Sequence, residues 1–95
     1  MNKEIIEKLR ELKPILKEKF GIEEFAVFGS MARSDYKKTS DVDIAILKAK
    51  EKDYFKMIDT KYFLEDKLNK KVDMGYYDSI RPIIRKRIEK DLIYV

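Results

Sequence analysis

The chain has 95 residues, of which 44% are hydrophobic and 42% charged, so it can form one core and intrinsic disorder is not expected. Lys and Arg outnumber Asp and Glu by 22 to 18, a net charge of +4 that permits an anionic partner without requiring one. Cys and His are both absent, which excludes disulfides, zinc fingers, thiol nucleophiles and imidazole general bases. Any metal is then bound through oxygen, which favours Mg²⁺, Mn²⁺ or Ca²⁺. No apolar run has the length of a signal peptide or membrane span, so we expect a soluble, cytoplasmic protein without membrane contact.

The first half of the chain predicts a helix, a strand, a loop with a short helix, and a second strand. Apolar residues at spacings of three and four indicate an amphipathic helix over residues 2–20, with a kink expected at Pro14. A short apolar run over 25–28, closed by Gly29, is typical of a buried strand. Apolar and polar residues alternate over 42–46, which indicates the second strand.

The second half predicts a helix, a strand, a helix and a terminal strand. Helical spacing returns over 52–69, with one apolar stripe of Phe55, Ile58 and Tyr62 beside a second of Met57, Leu64 and Leu68. A third strand is expected over 71–76, where Gly75 indicates a bulge or a strand end. Pro82 is typical of the first turn of a helix, so the last helix is expected to begin there, with its buried face at Ile80, Ile84 and Ile88. Residues 92–95 are expected to form the closing strand. The order α-β-α-β-α-β-α-β predicts a single α/β (α+β) domain over 1–95, with a mixed sheet flanked by helices.

Asp41 and Asp43 are the most informative pair in the sequence. Two residues that are two apart on a strand point to the same face, about 6.6 Å apart. Their carboxylates repel each other, and burial adds a desolvation cost that a divalent cation would remove. From the spacing alone, the alternative is that Ser40 and Asp41 cap a turn while Asp43 faces water.

The segment before this pair supplies groups that can bind phosphate. Gly29 and Ser30 follow the first strand directly, where a residue without Cβ lets the backbone approach a phosphate and the hydroxyl can donate to it. Arg33 lies one short turn further on and can neutralise the same phosphates. Considered one at a time, Gly29 and Ser30 are equally well explained as an ordinary strand-end turn, and Arg33 as an ordinary surface charge.

Together these residues resemble the signature of the DNA polymerase β-like nucleotidyltransferase superfamily, a Gly-Ser followed about ten residues later by Asp-x-Asp. The match lies mostly in Phe28–Arg33 and Thr39–Leu47. The nearer likeness is to the minimal nucleotidyltransferase (MNT) proteins, antitoxins encoded beside HEPN-type toxins. The resemblance implies a third carboxylate on a later strand, and Asp73 stands there with Val72 and Met74 expected to face the core. Ser34 departs from the Gly that commonly follows the motif's Arg.

The resemblance also implies a mechanism, Mg²⁺-dependent two-metal nucleotidyl transfer, with Mn²⁺ as the alternative metal. Asp41, Asp43 and Asp73 would be the catalytic metal ligands, and Gly29, Ser30 and Arg33 would bind the phosphates of ATP. The implied enzyme is a protein adenylyltransferase that moves AMP from ATP to a hydroxyl, expected to be a tyrosine, on a cognate HEPN-type ribonuclease toxin encoded by an adjacent gene. The alternatives are an antitoxin that acts by complex formation alone and a small-molecule nucleotidyltransferase.

A basic segment near the C-terminus contains Arg81, Arg85, Lys86, Arg87 and Lys90. We interpret it as a solvated helix face, partly compensated by Glu89 and Asp91, with docking of an acidic partner or RNA as the alternative. Direct nucleic-acid binding is not expected. The six Tyr and five Phe are expected to supply mainly core, and any exposed ones could form a partner patch.

Overall fold

The computed structural model describes residues 1–33 and 35–95 and confirms the predicted order of elements. The helices are α1 (Lys3–Phe20), α2 (Tyr54–Leu68) and α3 (Pro82–Glu89), and the strands are β1 (Ile22–Phe28), β2 (Val42–Ala49), β3 (Val72–Tyr76) and β4 (Ile93–Tyr94). The short helix expected between the first two strands is a single 3₁₀ turn, Gly29–Met31, and a second such turn is Tyr77–Ser79. The part of the chain described here has no helix that is long and apolar enough to cross a membrane.

The strands form one mixed sheet, as predicted, and their order in the sheet is β3-β2-β1-β4. β1 is antiparallel to both β2 and β4, whereas β2 is parallel to β3. β1 begins at Ile22, three residues before the predicted start, and its pairing with β2 is irregular between Ile22 and Phe25. The two glutamates that follow Ile22 break the apolar run, which is why the sequence pattern shows only the second part of this strand.

One face of the sheet is covered by α1 and α2, and the core lies between these layers. Its members alternate along each strand and recur at helical spacing along each helix; they include Ile6, Leu9, Leu16, Phe25, Val27, Ile44, Ile46, Leu64, Leu68 and Val72. α1 starts at the N-cap Asn2, whose side chain accepts from the Ile5 N–H, continues through Pro14 and ends at Gly21 with φ of 70°. The other face of the sheet carries the opposite set of strand residues.

Two expectations about burial and strand geometry are wrong. The predicted buried face of the last helix is not buried: none of the residues of α3 is, and Ile84 is 44% exposed. This helix carries the chain from β3 at one edge of the sheet to β4 at the other, so it is a connection rather than a layer of the core. Gly75 is neither a bulge nor a strand end, because it pairs with Ala45 in an unbroken β2–β3 register.

The two predicted stripes of α2 also differ from each other in burial. Leu64 and Leu68 are buried and Met57 packs against the core, whereas Phe55 is 84% exposed and Tyr62 is 62% exposed. Because α2 rests on the sheet and α1 with one side only, a single stripe can be buried. The stripe of Phe55, Ile58 and Tyr62 is the one that remains exposed.

Candidate active site

The candidate site forms where β1 ends and where β2 and β3 begin. Phe28 pairs with Asp43 across the antiparallel ladder, and Asp43 pairs with Asp73 across the parallel one. Paired residues share a face, and neighbouring strands lie about 4.8 Å apart, so both carboxylates are placed side by side. Their strand neighbours, Val42 and Val72, are buried on the opposite, core face. The predicted juxtaposition of Asp43 and Asp73 is therefore present in the fold.

Gly29 brings the backbone of the following turn against Asp43. Its φ is +72°, a left-handed conformation that favours glycine. A Cβ built at this position would collide with Oδ2 of Asp43 and would lie 3.2 Å from its Cγ. Ser30 is half-buried in the same 3₁₀ turn, which closes through N–H groups of Ala32 and Arg33 that donate to the Gly29 carbonyl at 3.1 and 3.2 Å. The requirement for glycine here thus comes from both the turn and the adjacent carboxylate.

Asp43 is the carboxylate with the most perturbed titration. Partial burial, followed by the negative charges of Asp73 and Asp41, raises the pKa of Asp43 from 3.8 to about 6, while Arg33 acts in the opposite direction. Asp41 itself is exposed and precedes the first residue of β2. These charges show that the three carboxylates form one electrostatic cluster, even though Asp41 lies just outside the strand.

The segment Ser40–Asp43 agrees in part with each of its two interpretations, a turn cap and a catalytic carboxylate pair. Ser40 does close a turn, because its Oγ accepts from the Lys37 N–H at 2.8 Å. Asp43, however, is half-buried rather than free in water. The turn-capping alternative is correct for Ser40 and does not hold for Asp43.

Asp73 is exposed, and the backbone beside it is fixed by a residue that the sequence interpretation missed. Oε2 of Glu65, on α2, accepts from the Val72 N–H at 2.9 Å. The Val42 N–H donates to the Lys71 carbonyl at 2.9 Å, which joins the starts of β2 and β3. Glu65 has no motif around it, but its position on the α2 turn nearest to β3 could have indicated such a contact.

Arg33 lies close to the cluster but is engaged with other carboxylates. Its Nε donates to Oδ1 of Asp35 at 3.2 Å, and a terminal nitrogen donates to Oδ2 of Asp91 at 3.3 Å. The hydrogen bond to Asp35, followed by that to Asp91, raises the pKa of Arg33 above its usual value. The structure therefore shows Arg33 linking the turn after β1 to the segment after α3, rather than reaching into the carboxylate cluster. The neighbouring Ser34, whose departure from the motif was noted above, lies outside the described residues.

Comparison with known proteins places this site in a family. The family model described as the nucleotidyltransferase domain matches residues 9–95. The chain belongs to this nucleotidyltransferase family. A relative named as a candidate protein adenylyltransferase, MJ1217 of Methanocaldococcus jannaschii, is 45% identical over 93 residues, which cover 97% of this chain and 95% of that protein. Protein adenylyltransferase MntA of Thermococcus cleftensis is 35% identical over 80 residues, covering 84% of this chain and 81% of MntA.

Solved structures agree with the family assignment. A structure described as a candidate minimal nucleotidyltransferase superposes with a TM-score of 0.77 at 25% identity, covering 98% of this chain and 95% of that one. A toxin–antitoxin crystal structure with AMP-PNP superposes with a TM-score of 0.69 at 22% identity, covering 98% of this chain and 70% of that one, which shows a shared fold. The resemblance to minimal nucleotidyltransferases and the predicted polymerase β-like fold are confirmed.

The carboxylate cluster of this nucleotidyltransferase fits a divalent metal that also binds its substrate. Among residues 1–33 and 35–95, no three acidic side chains converge closely enough to form a metal cage by themselves. Mg²⁺ is usually held by one or two carboxylates together with substrate phosphates. The absence of a side chain at Gly29 lets the backbone of this turn lie directly against the Asp43 carboxylate, so that backbone groups able to bind a phosphate stand beside the acidic side chains. The donor set therefore fits a metal whose coordination is completed by a nucleotide.

Proposed function

We propose that this nucleotidyltransferase moves AMP from ATP to a hydroxyl of a partner protein, the HEPN-type toxin encoded by an adjacent gene, and thereby neutralises it. The main support for a catalytic role is the position of Asp43, which lies against the Gly29 backbone and directly opposite Asp73. The raised pKa of Asp43 indicates that this arrangement is costly without a cation. A site that lowers stability in this way is typical of a catalytic centre.

In the proposed reaction, Asp41 and Asp43 would hold Mg²⁺, with Mn²⁺ as the alternative, and the Gly29–Ser30 turn would bind the phosphates of ATP. When bound, the metal would neutralise charge on the triphosphate and on the departing diphosphate. Asp73 is more exposed than Asp43 and stands beside it, so it can approach an acceptor hydroxyl and take its proton. The acceptor oxygen forms a bond to the α-phosphorus while the bond to diphosphate breaks. Arg33 would reach the phosphates only by releasing Asp35 or Asp91.

Two features support a protein as the acceptor. Relatives that match nearly the whole chain carry the name protein adenylyltransferase. Among the described residues, the three helices and the sheet also include no further element that could enclose a small acceptor. The toxin and its tyrosine follow from the resemblance to minimal nucleotidyltransferases, and a chain of this fold occurs in a toxin–antitoxin structure with AMP-PNP.

The direct test incubates the purified chain with ATP labelled on its α-phosphate, Mg²⁺ and the purified HEPN-type protein encoded next to it. We expect label on the partner, none with Asp43→Asn, and full labelling with Asp59→Asn, a matched change on the exposed side of α2. An unlabelled partner with folded wild-type protein, in both Mg²⁺ and Mn²⁺, would refute the proposed reaction.

A cellular assay separates this function from inhibition by complex formation alone. Cells that express the toxin are rescued by the wild-type chain under either hypothesis. If transfer neutralises the toxin, a chain carrying both Asp41→Asn and Asp43→Asn gives no rescue although it accumulates to the wild-type level. Full rescue by that double variant would show that binding is sufficient.

A further inference from the structure

α3 combines an apolar pattern that predicts burial with incomplete burial by the described residues. Ile84 and Ile88 lie one turn apart on the same side of the helix, and Ile83 lies beside them. Ile80 precedes the helix, and both Ile80 and Ile88 are half-buried. Ile83 is 66% exposed and Ile84 is 44% exposed. A helix with an apolar stripe normally buries it against another element. Since the described residues leave Ile83 and Ile84 exposed, a second surface would have to complete the burial of this side of the helix.

The charge around that stripe indicates the chemistry of the second surface. Residues 81–90 contain five basic residues and one acidic residue, a net charge of +4 that equals that of the whole chain. The rest of the chain therefore carries as many acidic as basic residues. Within the described residues, none of these five cations forms a salt bridge, whereas Asp91 is paired with Arg33. Such a basic surface is complementary to an acidic one.

The position of α3 places this surface beside the carboxylate cluster. Asp91 follows the helix, and its carboxylate binds Arg33 at 3.3 Å. The Arg33 N–H donates to the Gly29 carbonyl at 3.2 Å, and Gly29 lies directly against the Asp43 carboxylate. A molecule docked along α3 would therefore lie next to the place where nucleotidyl transfer is proposed to occur.

We propose that α3 is the docking surface for the acceptor protein, which presents an apolar groove bordered by acidic side chains. The proposal rests on the proposed function for the identity of the acceptor. The exposed isoleucines favour a protein groove over nucleic acid as the binding partner. Contacts to nucleic acid rely on cations at the phosphates and aromatic rings stacked on the bases, and Ile supplies neither. A second copy of this chain is disfavoured, because pairing α3 with itself would bring two basic surfaces together.

The test measures binding of the full-length chain to the purified HEPN-type protein encoded by the adjacent gene. One variant combines Lys86→Glu, Arg87→Glu and Lys90→Glu, all at exposed positions. A second is Ile83→Asp, which removes an apolar contact without reversing a charge. The matched control reverses three exposed α1 lysines, Lys3→Glu, Lys8→Glu and Lys17→Glu, and changes the net charge by the same amount.

We expect both α3 variants to weaken binding by at least about tenfold, while the α1 control changes it by less than about threefold. Wild-type binding should weaken when ionic strength rises from about 0.05 M to about 0.5 M. In the transfer assay, the α3 variants should raise KM for the acceptor while KM for ATP stays the same. The docking proposal is overturned if the wild-type chain does not bind the partner, if both α3 variants bind it with wild-type affinity, or if the α1 control loses as much affinity as they do. It is also overturned if α3 instead mediates dimerisation of this chain or binds RNA in place of the protein.

The two proposals fail in different ways. If the partner binds through α3 but acquires no AMP, the transfer proposal fails and the docking surface stands. If the partner is labelled equally by the wild-type chain and both α3 variants, the docking surface is wrong and the transfer proposal stands.

Discussion

Asp43→Asn should stabilise the metal-free protein while abolishing its activity. The substitution keeps the size of the side chain and removes a charge that is partly buried and repelled by Asp73 and Asp41. In the folded protein the pKa of Asp43 is about 6, against 3.8 for an ordinary aspartate. The charged form is therefore less favourable in the folded chain than in the unfolded one, and its removal should raise the free energy of unfolding.

The magnitude follows from the difference between the two pKa values. A pKa raised from 3.8 to about 6 corresponds to about 3 kcal/mol if none of the interaction is screened. Asp43 is partly open to solvent, so screening reduces this to roughly 1.5 kcal/mol. For a domain of 95 residues, such a change raises Tm by roughly 6 to 12 °C.

The pH dependence has a definite sign. Below pH 3.8 the side chain is neutral in both states, and Asp43 makes no contribution to the difference between wild type and variant. As pH rises through the window from 3.8 to about 6, the unfolded chain ionises first and the wild type loses stability relative to the variant. The advantage of Asp43→Asn is complete above this window.

Urea unfolding of both proteins at about pH 4 and at about pH 8, in the presence of a chelator, measures this difference. Asp59→Asn is the control, since it removes an exposed carboxylate of α2 outside the cluster. Adding Mg²⁺ with a non-hydrolysable ATP analogue should stabilise the wild type, by about 2.7 kcal/mol at a hundredfold excess over Kd, and leave the variant much less affected. Equal stability of variant and wild type at about pH 8, or a gain that persists unchanged at about pH 4, would refute the electrostatic argument.

Two further predictions concern the framework of the site. Gly29→Ala should lower the free energy of unfolding by about 3 kcal/mol, because the new Cβ would stand on a backbone with φ of 72° and would collide with Asp43. The control is Gly75→Ala, where no atom lies within 4 Å of the new Cβ, and it should change the free energy of unfolding by less than about 0.5 kcal/mol. Equal denaturation midpoints for these variants would contradict the proposed close approach. Tyr76→Phe should cost about 1 kcal/mol without loss of transfer activity, since the Tyr76 hydroxyl accepts from the Asp53 N–H at 2.9 Å at the start of α2. An unchanged melting temperature would show that this hydrogen bond contributes little.

The sequence predicted those parts of the fold and site that depend on local pattern. Apolar periodicity is sufficient for the existence and order of the helices and strands, because each element must bury one side. The glycine after β1 and the position of Asp43 on β2 were predictable for the same reason, since turn geometry and strand alternation act over a few residues, whereas Asp41 lies just before the strand instead of on it. The start of β1 was obscured by Glu23 and Glu24, which stand where an apolar run would be expected.

Features that depend on distant residues could not be predicted in this way. Arg33 and Asp91 are 58 residues apart in the chain, and no local pattern relates them. The exposed stripe of α2 and the uncovered face of α3 have the same spacing as buried stripes, because spacing reports which residues share a side and not what covers that side. In α3, the isoleucines that the described residues leave exposed, Ile83 and Ile84, are the apolar groups that a docked protein would cover.

The carboxylate cluster depends on the parallel pairing of β2 and β3, which only a crossover through α2 makes possible. Asp73 stands opposite Asp43 in a single register, and a slip of one residue would turn Asp73 into the core and Val72 towards the site. Leu64 and Leu68 anchor the last turns of α2 in the core, and Glu65 between them holds the Val72 N–H. The burial of one side of α2 therefore fixes the register of β3, and that register places the third carboxylate.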